Sequence, residues 1–311
     1  YGIANDGSIV PGWPVGISTM QVLPDIGVGL PSAPAMADID GDGKVEVAMP
    51  GIATAPNIYN GSGTPIASFD NGNYGSGSTV FDTPSAPVIA DGAFGNLDNG
   101  PSLHYVLPGA GYGYLSALEG PGGMKANFQH LVSAWTVTKK VPTTGLYAYA
   151  DGFPVRADDH QFFMNPAIAD VDGDGMAEVI AASGGYYLRA WNIHGVQPTD
   201  WPKMTGQWII ASPAVGDLDG DGKLEVAVST REGYLYAWHT TGPTNGRVAW
   251  VRFHHDDANT GNLSTKLPFG EPAGGSPGSG CGCASTRDDL PGGALLVLVV
   301  GAVLVPRWRR R

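Results

Sequence analysis

The sequence predicts an all-β protein assembled from repeated sheet units, and three observations carry that prediction. A nine-residue pattern, DxDGDGxxE, occurs at Asp38 to Glu46, Asp170 to Glu178 and Asp217 to Glu225. A short β-branched run follows each copy, at Val45 to Met49, Glu178 to Ala182 and Leu224 to Val228. The 311 residues also hold 47 Gly and 25 Pro, which supply dense turns, while long stretches of 3.6-residue amphipathic periodicity are missing.

Internal repetition sets the architecture. Residues 165–195 align without gaps onto 212–242, an offset of 47 residues. NPAIAD at Asn165 to Asp170 falls on SPAVGD at Ser212 to Asp217, and YLRAW at Tyr187 to Trp191 falls on YLYAW at Tyr234 to Trp238. Each unit therefore runs loop, strand, turn, aromatic strand. A third copy opens at Ser32 and a fourth at Ser85. In the fourth the loop aligned on Asn96 is NLDNGPSLH, with Gly100 and His104 where the other loops place carboxylates, and no tight metal site is expected there. First positions lie 58, 74 and 47 residues apart, so the unit carries inserts, the longest between Gly120 and Asp159. Periods of this size with several short strands each indicate a propeller or a related β-array. Tyr1 to Ile3 aligns with Tyr236 to Trp238, which places the first residues inside the last strand of a preceding blade. The four units are thus expected to be part of a larger ring, with Trp250 to Gly261 as a closing segment.

The repeated loop carries the chemistry. Asp at positions 1, 3 and 5 turns carboxylates inward: Asp38, Asp40 and Asp42; Asp170, Asp172 and Asp174; Asp217, Asp219 and Asp221. Position 7 offers a backbone carbonyl (Lys44, Met176, Lys223), and the carboxylate at position 9 (Glu46, Glu178, Glu225) closes the shell from the following strand. Glycines at positions 4 and 6 supply the positive φ that such a turn needs. Two like charges about 4 Å apart repel by roughly 4 kcal/mol at an effective dielectric near 20, and a divalent ion removes that penalty. An all-oxygen set of this kind suits Ca²⁺ over Mg²⁺, which demands stricter geometry, and over Zn²⁺, because no His or Cys joins it. About three Ca²⁺ sites are expected. An EF-hand is excluded, since its bidentate Glu would fall on Met49, Ala181 or Val228.

These loops, the SPAxxD lead at Ser212 to Asp217 and the trailing YLYAW strand at Tyr234 to Trp238 resemble FG-GAP (VCBS-type) repeats, the calcium-binding blades of integrin-α-like β-propellers. The resemblance covers residues 1–255 and is specific in three of the four units. It implies a β-propeller whose loop positions 1, 3, 5, 7 and 9 are the ligands, which are the residues already named. The blades then occupy residues 1–269.

Beyond them, residues 270–289 form a Gly, Pro and Ser-rich linker with a Cys281-Gly282-Cys283 motif, and residues 290–311 an apolar segment with an Arg-rich end. Leu290 to Val305 is uncharged, and as a helix it would reach about 24 Å at ~1.5 Å per residue, close to a ~30 Å hydrocarbon core. Trp308 and Arg307, Arg309, Arg310 and Arg311 are expected to anchor a transmembrane helix with its C-terminus cytoplasmic and the blades outside. Linker, cysteines, apolar run and arginines together resemble the MYXO-CTERM tripartite sorting signal over residues 278–311. That resemblance implies an exported protein, processed or lipidated at Cys281 or Cys283 by a sorting protease and held at the cell envelope. No third cysteine exists to pair with either, so the blades contain no disulfide.

Net charge is −12; residues 287–311 hold five Arg and two Asp, so the remainder carries −15. Twelve of the 29 acidic residues belong to the three loops, and no basic stripe lies outside the tail, which argues against nucleic-acid binding. One match to the nucleophile pattern GxSxG, at Gly274 to Gly278, lies in the linker with no strand before it. The runs Asp158-Asp159-His160 and His254-His255-Asp256-Asp257 are potential acid–base or metal clusters, although polar turns account for them more simply. Tyr234, Tyr236 and Trp238 fit blade packing better than sugar stacking. The sequence therefore predicts a non-enzymatic, calcium-stabilised surface propeller for adhesion or for binding a protein or glycan ligand. The alternative is an accessory domain of a secreted hydrolase whose catalytic part lies elsewhere.

Overall fold

A computed structural model describes residues 2–16, 21–23, 26–27, 32–51, 54–68, 90–109, 130–140, 142, 145, 147–159, 161 and 164–270. The chain divides into two compact units, Tyr1–Gly278 and Ser279–Arg311. Cys281, Cys283, the apolar run from Leu290, the GxSxG match, Ser85 and His160 all lie outside the described residues. Among the described residues every regular element is a strand, and no helix is long and apolar enough to cross a membrane.

Dense turns and short β-branched runs yield a series of antiparallel meanders. A small hairpin of β1 (Gln21–Leu23) and β2 (Ile26–Gly27) comes first. The first meander sets β3 (Ala35–Ala37), β4 (Glu46–Gly51), β5 (Thr54–Tyr59) and β6 (Pro65–Ser68) side by side. In the second, β7 (Ala93–Gly95), β8 (His104–Pro108), β9 (Leu131–Lys140) and β10 (Tyr147–Tyr149) follow in order, and β11 (Val155–Arg156) also pairs with β9. A third meander contains β12 (Ala167–Ala169), β13 (Glu178–Ala182), β14 (Tyr187–Trp191) and β15 (Lys203–Met204), and a fourth β16 (Ala214–Gly216), β17 (Lys223–Ser229) and β18 (Leu235–Pro243). Finally β19 (Val248–Trp250) returns to pair with β12. The runs expected after the acidic loops are β4, β13 and β17, and the aromatic runs lie in β14 and β18. Ile3, aligned with a blade's last strand, forms an isolated bridge to Ile9.

The opening strand of each meander is the inner one: β3 touches β7, β7 touches β12, and β12 touches β16. This is a β-propeller-like arrangement of blades, in which no sheet closes on itself. What joins the inner strands is the segment after β18. Beyond the pairing of β19 with β12, Val215 N–H in β16 donates to Val251 O (2.8 Å), and Met36 in β3 donates to Gly261 O (2.7 Å) and accepts from Leu263 N–H (2.9 Å). The stretch read as a closing segment thus bridges three blades through the middle of the unit. Room is short there, since a Cβ on Gly95 would stand 2.9 Å from Ile168 and 3.0 Å from Ala249.

Burial follows the period-two rule of strands. In β13, Val179 and Ala181 join a core containing Phe94, Tyr105, Trp135 and Trp250, while Ile180 and Ala182 face a second core with Leu188, Val215, Leu224 and Val226. Both faces of β13 are therefore covered and all five of its residues are buried. Trp135 and Trp250 are almost fully buried, and each removes on the order of 200 Å² from water, an upper contribution of roughly 5 kcal/mol.

Candidate metal centre

Every acidic loop joins an inner strand to the second strand of its blade. The register is the same each time: the residue before position 1 pairs with the residue at position 9, as Ala37 with Glu46, Ala169 with Glu178 and Gly216 with Glu225. Between them the backbone folds around the carboxylates. Asp38 accepts from Gly41 N–H (2.8 Å) and Gly43 N–H (2.9 Å), Asp170 from Gly173 (2.6 Å) and Gly175 (3.0 Å), and Asp217 from Gly220 (2.7 Å) and Gly222 (3.1 Å). These glycines have φ between 78° and 88°, a region costly for a residue with a Cβ. Asp40, Asp172 and Asp219 accept from the N–H at position 5 (3.1, 3.1 and 3.2 Å), and Asp42, Asp174 and Asp221 from the N–H of Lys44, Met176 and Lys223 (2.8, 2.7 and 2.8 Å). Oε2 of Glu46, Glu178 and Glu225 takes the N–H at position 2 (2.9, 2.9 and 2.7 Å).

Three of the four predicted carboxylates of each loop are thereby brought together, Glu46, Asp174 and Asp221 falling outside these groups. Ligand-capable oxygens lie within 4.8 Å of one another for Asp38, Asp40 and Asp42, for Asp170, Asp172 and Glu178, and for Asp217, Asp219 and Glu225. Lys44, Met176 and Lys223 sit where each loop passes into its outgoing strand.

What differs between the loops is how the spare oxygens are treated. In the first, the exposed Lys44 ammonium lies 3.0 Å from Asp42 Oδ2, and this hydrogen bond lowers the Asp42 pKa. In the third, His239 Nδ1 stands 2.9 Å from Glu225 Oε1 and 3.9 Å from Asp219 Oδ2, placed there by the pairing of Glu225 with His239 across β17 and β18. Its ring also joins Asp219 and Asp221 in a group within 4.8 Å. Among the described residues, no Lys, Arg or His side chain pairs with the carboxylates of the second loop. Glu178 is 0% exposed, and its Oε1 has no hydrogen-bond partner. Burial, with Asp172, Asp170 and Asp174 adding repulsion, pushes the Glu178 carboxyl up to about 9. Burial also raises Asp170, against the pull of the Gly173 and Gly175 amides. Burial comes first again at Glu46, where Asp40, Asp38 and Asp42 raise it further.

Asp170 and Val171, which open loop two, are buried where the end of β18 and the turn into β19 lie against them. Thr241 donates from N–H to Val171 O (3.3 Å) and from Oγ1 to Asp172 O (2.8 Å), and Asp170 N–H donates to Arg247 O (2.8 Å). A buried carboxylate oxygen without a donor costs several kcal/mol unless a cation or proton meets it. The donor set fits Ca²⁺: hard oxygens close together, with a buried carboxyl oxygen that has no donor. The side chains of Asp170, Asp172, Asp174 and Glu178 would hold it.

The degenerate loop keeps the fold without the charge. His104 takes the position of the glutamates, pairing with Gly95 and accepting Leu97 N–H at Nδ1 (3.3 Å). Asn96 Oδ1 accepts from Asp98 N–H (3.0 Å), and its Nδ2 donates to Gly100 O (2.6 Å). Burial lowers the His104 pKa to about 4, outweighing Asp98, so the ring is a neutral acceptor. Its folded pKa lies below its unfolded value of 6.5, so its contribution to stability is complete above pH 6.5 and is lost as pH falls toward 4. The loss amounts to about 3 kcal/mol. A His104→Asn variant keeps an acceptor for Leu97 and does not titrate. Urea unfolding in chelator at pH 7 and pH 4.5 is expected to show a smaller acid loss for the variant, by about 2 kcal/mol; equal losses would contradict this role for His104.

The remaining polar runs are structural in their contacts. Asp158 forks onto Arg189 at 2.6 and 2.8 Å, and Asp159 lies 3.8 Å from His130. His255 Nδ1 meets Asp256 Oδ2 at 2.8 Å, and Thr260 Oγ1 donates to the same carboxylate. Tyr236 and Trp238 stack at 5.7 Å and pack on the second core, whereas Tyr234 is exposed. His239, Thr241 and the β18–β19 turn were not singled out from the sequence; the one signal was that the 47-residue alignment sets His239 on Asn192.

Blades of short strands, three of the four with an acidic loop after the inner strand, define a repeat protein of the propeller-like class. Residues 163–228 match the FG-GAP-like repeat model and residues 210–249 the FG-GAP repeat model, so FG-GAP repeats are found in this region of the chain. No curated protein matches the chain. Solved structures similar to it include a BBS1N–ARL6DN complex soaked with lead, at 14% identity over 67% of this chain and 53% of that one, TM-score 0.38. The V. cholerae biofilm matrix protein Bap1 is similar at 19% identity over 70% of this chain and 28% of that one, TM-score 0.39. The GH43 protein BlXynB from Bacillus licheniformis is similar at 14% identity over 67% and 39%, TM-score 0.34. The chain spans about half the length of the first of these, and less of the other two.

Proposed function

We propose that this chain is a calcium-binding, non-enzymatic propeller segment, held at a cell envelope by its C-terminal region, that serves adhesion or the binding of a protein or glycan ligand. The observation that carries the calcium reading is Glu178 Oε1, a fully buried carboxylate oxygen without a donor, set among Asp170, Asp172 and Asp174. The ions are structural: they tie each inner strand to its neighbour and link folding to external calcium, for which extracellular modules often have affinities near 10⁻⁴ to 10⁻³ M. The envelope reading is supported by the uncharged run from Leu290 to Val305, the four terminal arginines and the resemblance of residues 278–311 to a MYXO-CTERM signal, with Cys281 or Cys283 as the processed residue.

Calorimetric melting with calcium and with chelator tests the proposal. Each site filled at about 100 times its Kd adds roughly 2.7 kcal/mol, so with three sites the midpoint is expected to fall by more than about 10 °C in chelator. An unchanged midpoint would remove the calcium reading. Fractionation of cells carrying the chain, with and without residues 278–311, tests the anchor; the shortened chain is expected in the medium.

A further inference from the structure

Among the described residues, loops two and three share a hydrogen-bonded connection of a kind not seen at loop one. The segment from Thr240 to Arg247, which comprises the end of β18 and the turn into β19 and is called the 240–247 turn below, is hydrogen-bonded to both. On one side Thr241 binds Val171 O and Asp172 O, and Arg247 O accepts Asp170 N–H. On the other side Thr244 donates to Gly222 O from N–H (3.0 Å) and Oγ1 (3.2 Å), Thr240 Oγ1 donates to Leu224 O (2.6 Å), and Pro243 pairs with Lys223. Contact with loop two is close enough that Gly242 lies against Asp170 O. Among the described residues, the side-chain hydrogen bonds of loop one run to Asp38, Asp40, Asp42 or Glu46 within the loop itself.

We propose that the 240–247 turn is a coupler that makes cation binding at loops two and three cooperative, while loop one binds independently. The inference rests on the calcium reading above and adds to it a regulation of the same sites. The buried, donorless Glu178 Oε1 marks loop two as the site that gains most from an ion. An ion that draws Asp170, Asp172 and Glu178 together fixes the backbone of positions 1 to 3, the positions that hold Thr241 and Arg247. With that half of the turn fixed, Thr244 is already aligned on Gly222, and the second ion has less chain to order. By linkage the help is mutual, each ion raising the affinity of the other site by the same factor. Because the turn leads directly into β19, calcium at these two loops also sets the axial strand that bridges the blades.

Calcium titration by calorimetry on the full chain tests this with position-1 substitutions, of the kind the degenerate loop itself carries at Asn96. Asp38→Asn leaves loops two and three; adding Asp217→Asn or Asp170→Asn leaves one of them alone. Affinity at loop two is expected to be at least about fivefold higher when loop three can also fill. Loops one and three, left together by Asp170→Asn, are expected to agree within about twofold with their separate affinities. Thr241→Val is expected to reduce the coupling and Thr241→Ser to preserve it, a difference that general destabilisation would not reproduce. If calcium binds but loops two and three fill independently, the coupling is overturned and the calcium reading stands. If the parent chain takes up no calcium, the calcium reading itself falls.

Discussion

A Gly242→Val variant is expected to melt about 6 to 12 °C below the parent in calcium, a loss of roughly 3 kcal/mol or more. Gly242 is buried near the end of β18, and a Cβ there would stand 1.9 Å from Asp170 O and 2.8 Å from both Asp170 C and Val171 Cα. All three neighbours are backbone atoms of loop two, so no side-chain rotation can make room. Relief requires the turn to lift from the loop, which breaks the bonds from Thr241 to Val171 and Asp172 and uncovers Asp170. Stability and calcium affinity at loop two should therefore fall together. Gly16→Ala, at a position with nothing within 4 Å, serves as the neutral control. At Gly41 a Cβ also meets nothing within 4 Å, but φ is +78°, so Gly41→Ala is expected to cost only about 1 to 2 kcal/mol through the backbone. A Gly242→Val protein as stable as Gly16→Ala would show that the turn does not press on the loop.

The parts of this molecule visible in its sequence are those encoded locally. DxDGDGxxE specifies its own turn, because the carboxylates bond amides two to five residues away and glycines stand where φ is positive. Short β-branched runs likewise announced β13 and β17. Contacts made across long separations left no such mark. Thr241 reaches Asp172 over 69 residues and His254 N–H reaches Asn165 Oδ1 over 89, and neither residue type is unusual for a loop or strand. His104 shows the intermediate case. Its departure from the pattern was evident, but its role as a neutral acceptor depends on the burial that lowers its pKa. The long insert in the second unit was recognised only as an insert; it builds β9, whose ten residues accept both β10 and β11. Pairing one strand with two partners depends on how the chain returns in space, which strand periodicity does not encode.

Replacing Glu178 by glutamine is expected to change stability in opposite directions with and without calcium. In chelator the parent must keep a carboxyl pushed up to about 9 by burial and by Asp172, Asp170 and Asp174. A carboxyl whose folded pKa exceeds its unfolded value of 4.5 stabilises most at low pH and loses that contribution as pH rises toward 9. At pH 7 the penalty is about 3 kcal/mol. Glutamine is neutral throughout, keeps a carbonyl oxygen for Val171 N–H, and offers an amide donor to the surrounding carboxylates. The degenerate loop already uses such a donor, in the bond from Asn96 Nδ2 to Gly100 O. Glu178→Gln should therefore melt above the parent in chelator at pH 8, with the gap closing as pH approaches 4.5. In calcium at pH 7 the order should reverse once the ion exceeds about 1,000 times its Kd, because the roughly 4.1 kcal/mol it then contributes to the parent, and which the variant forfeits, outweighs the penalty of about 3 kcal/mol. Crossing melting curves are specific to a carboxylate held for a cation: a glutamate that merely packed, or capped Val171 N–H, would be replaced with the same sign in both buffers. Destabilisation of equal size with and without calcium would mean that Glu178 Oε1 meets no ion, and loop two would have to be reread as a buried turn.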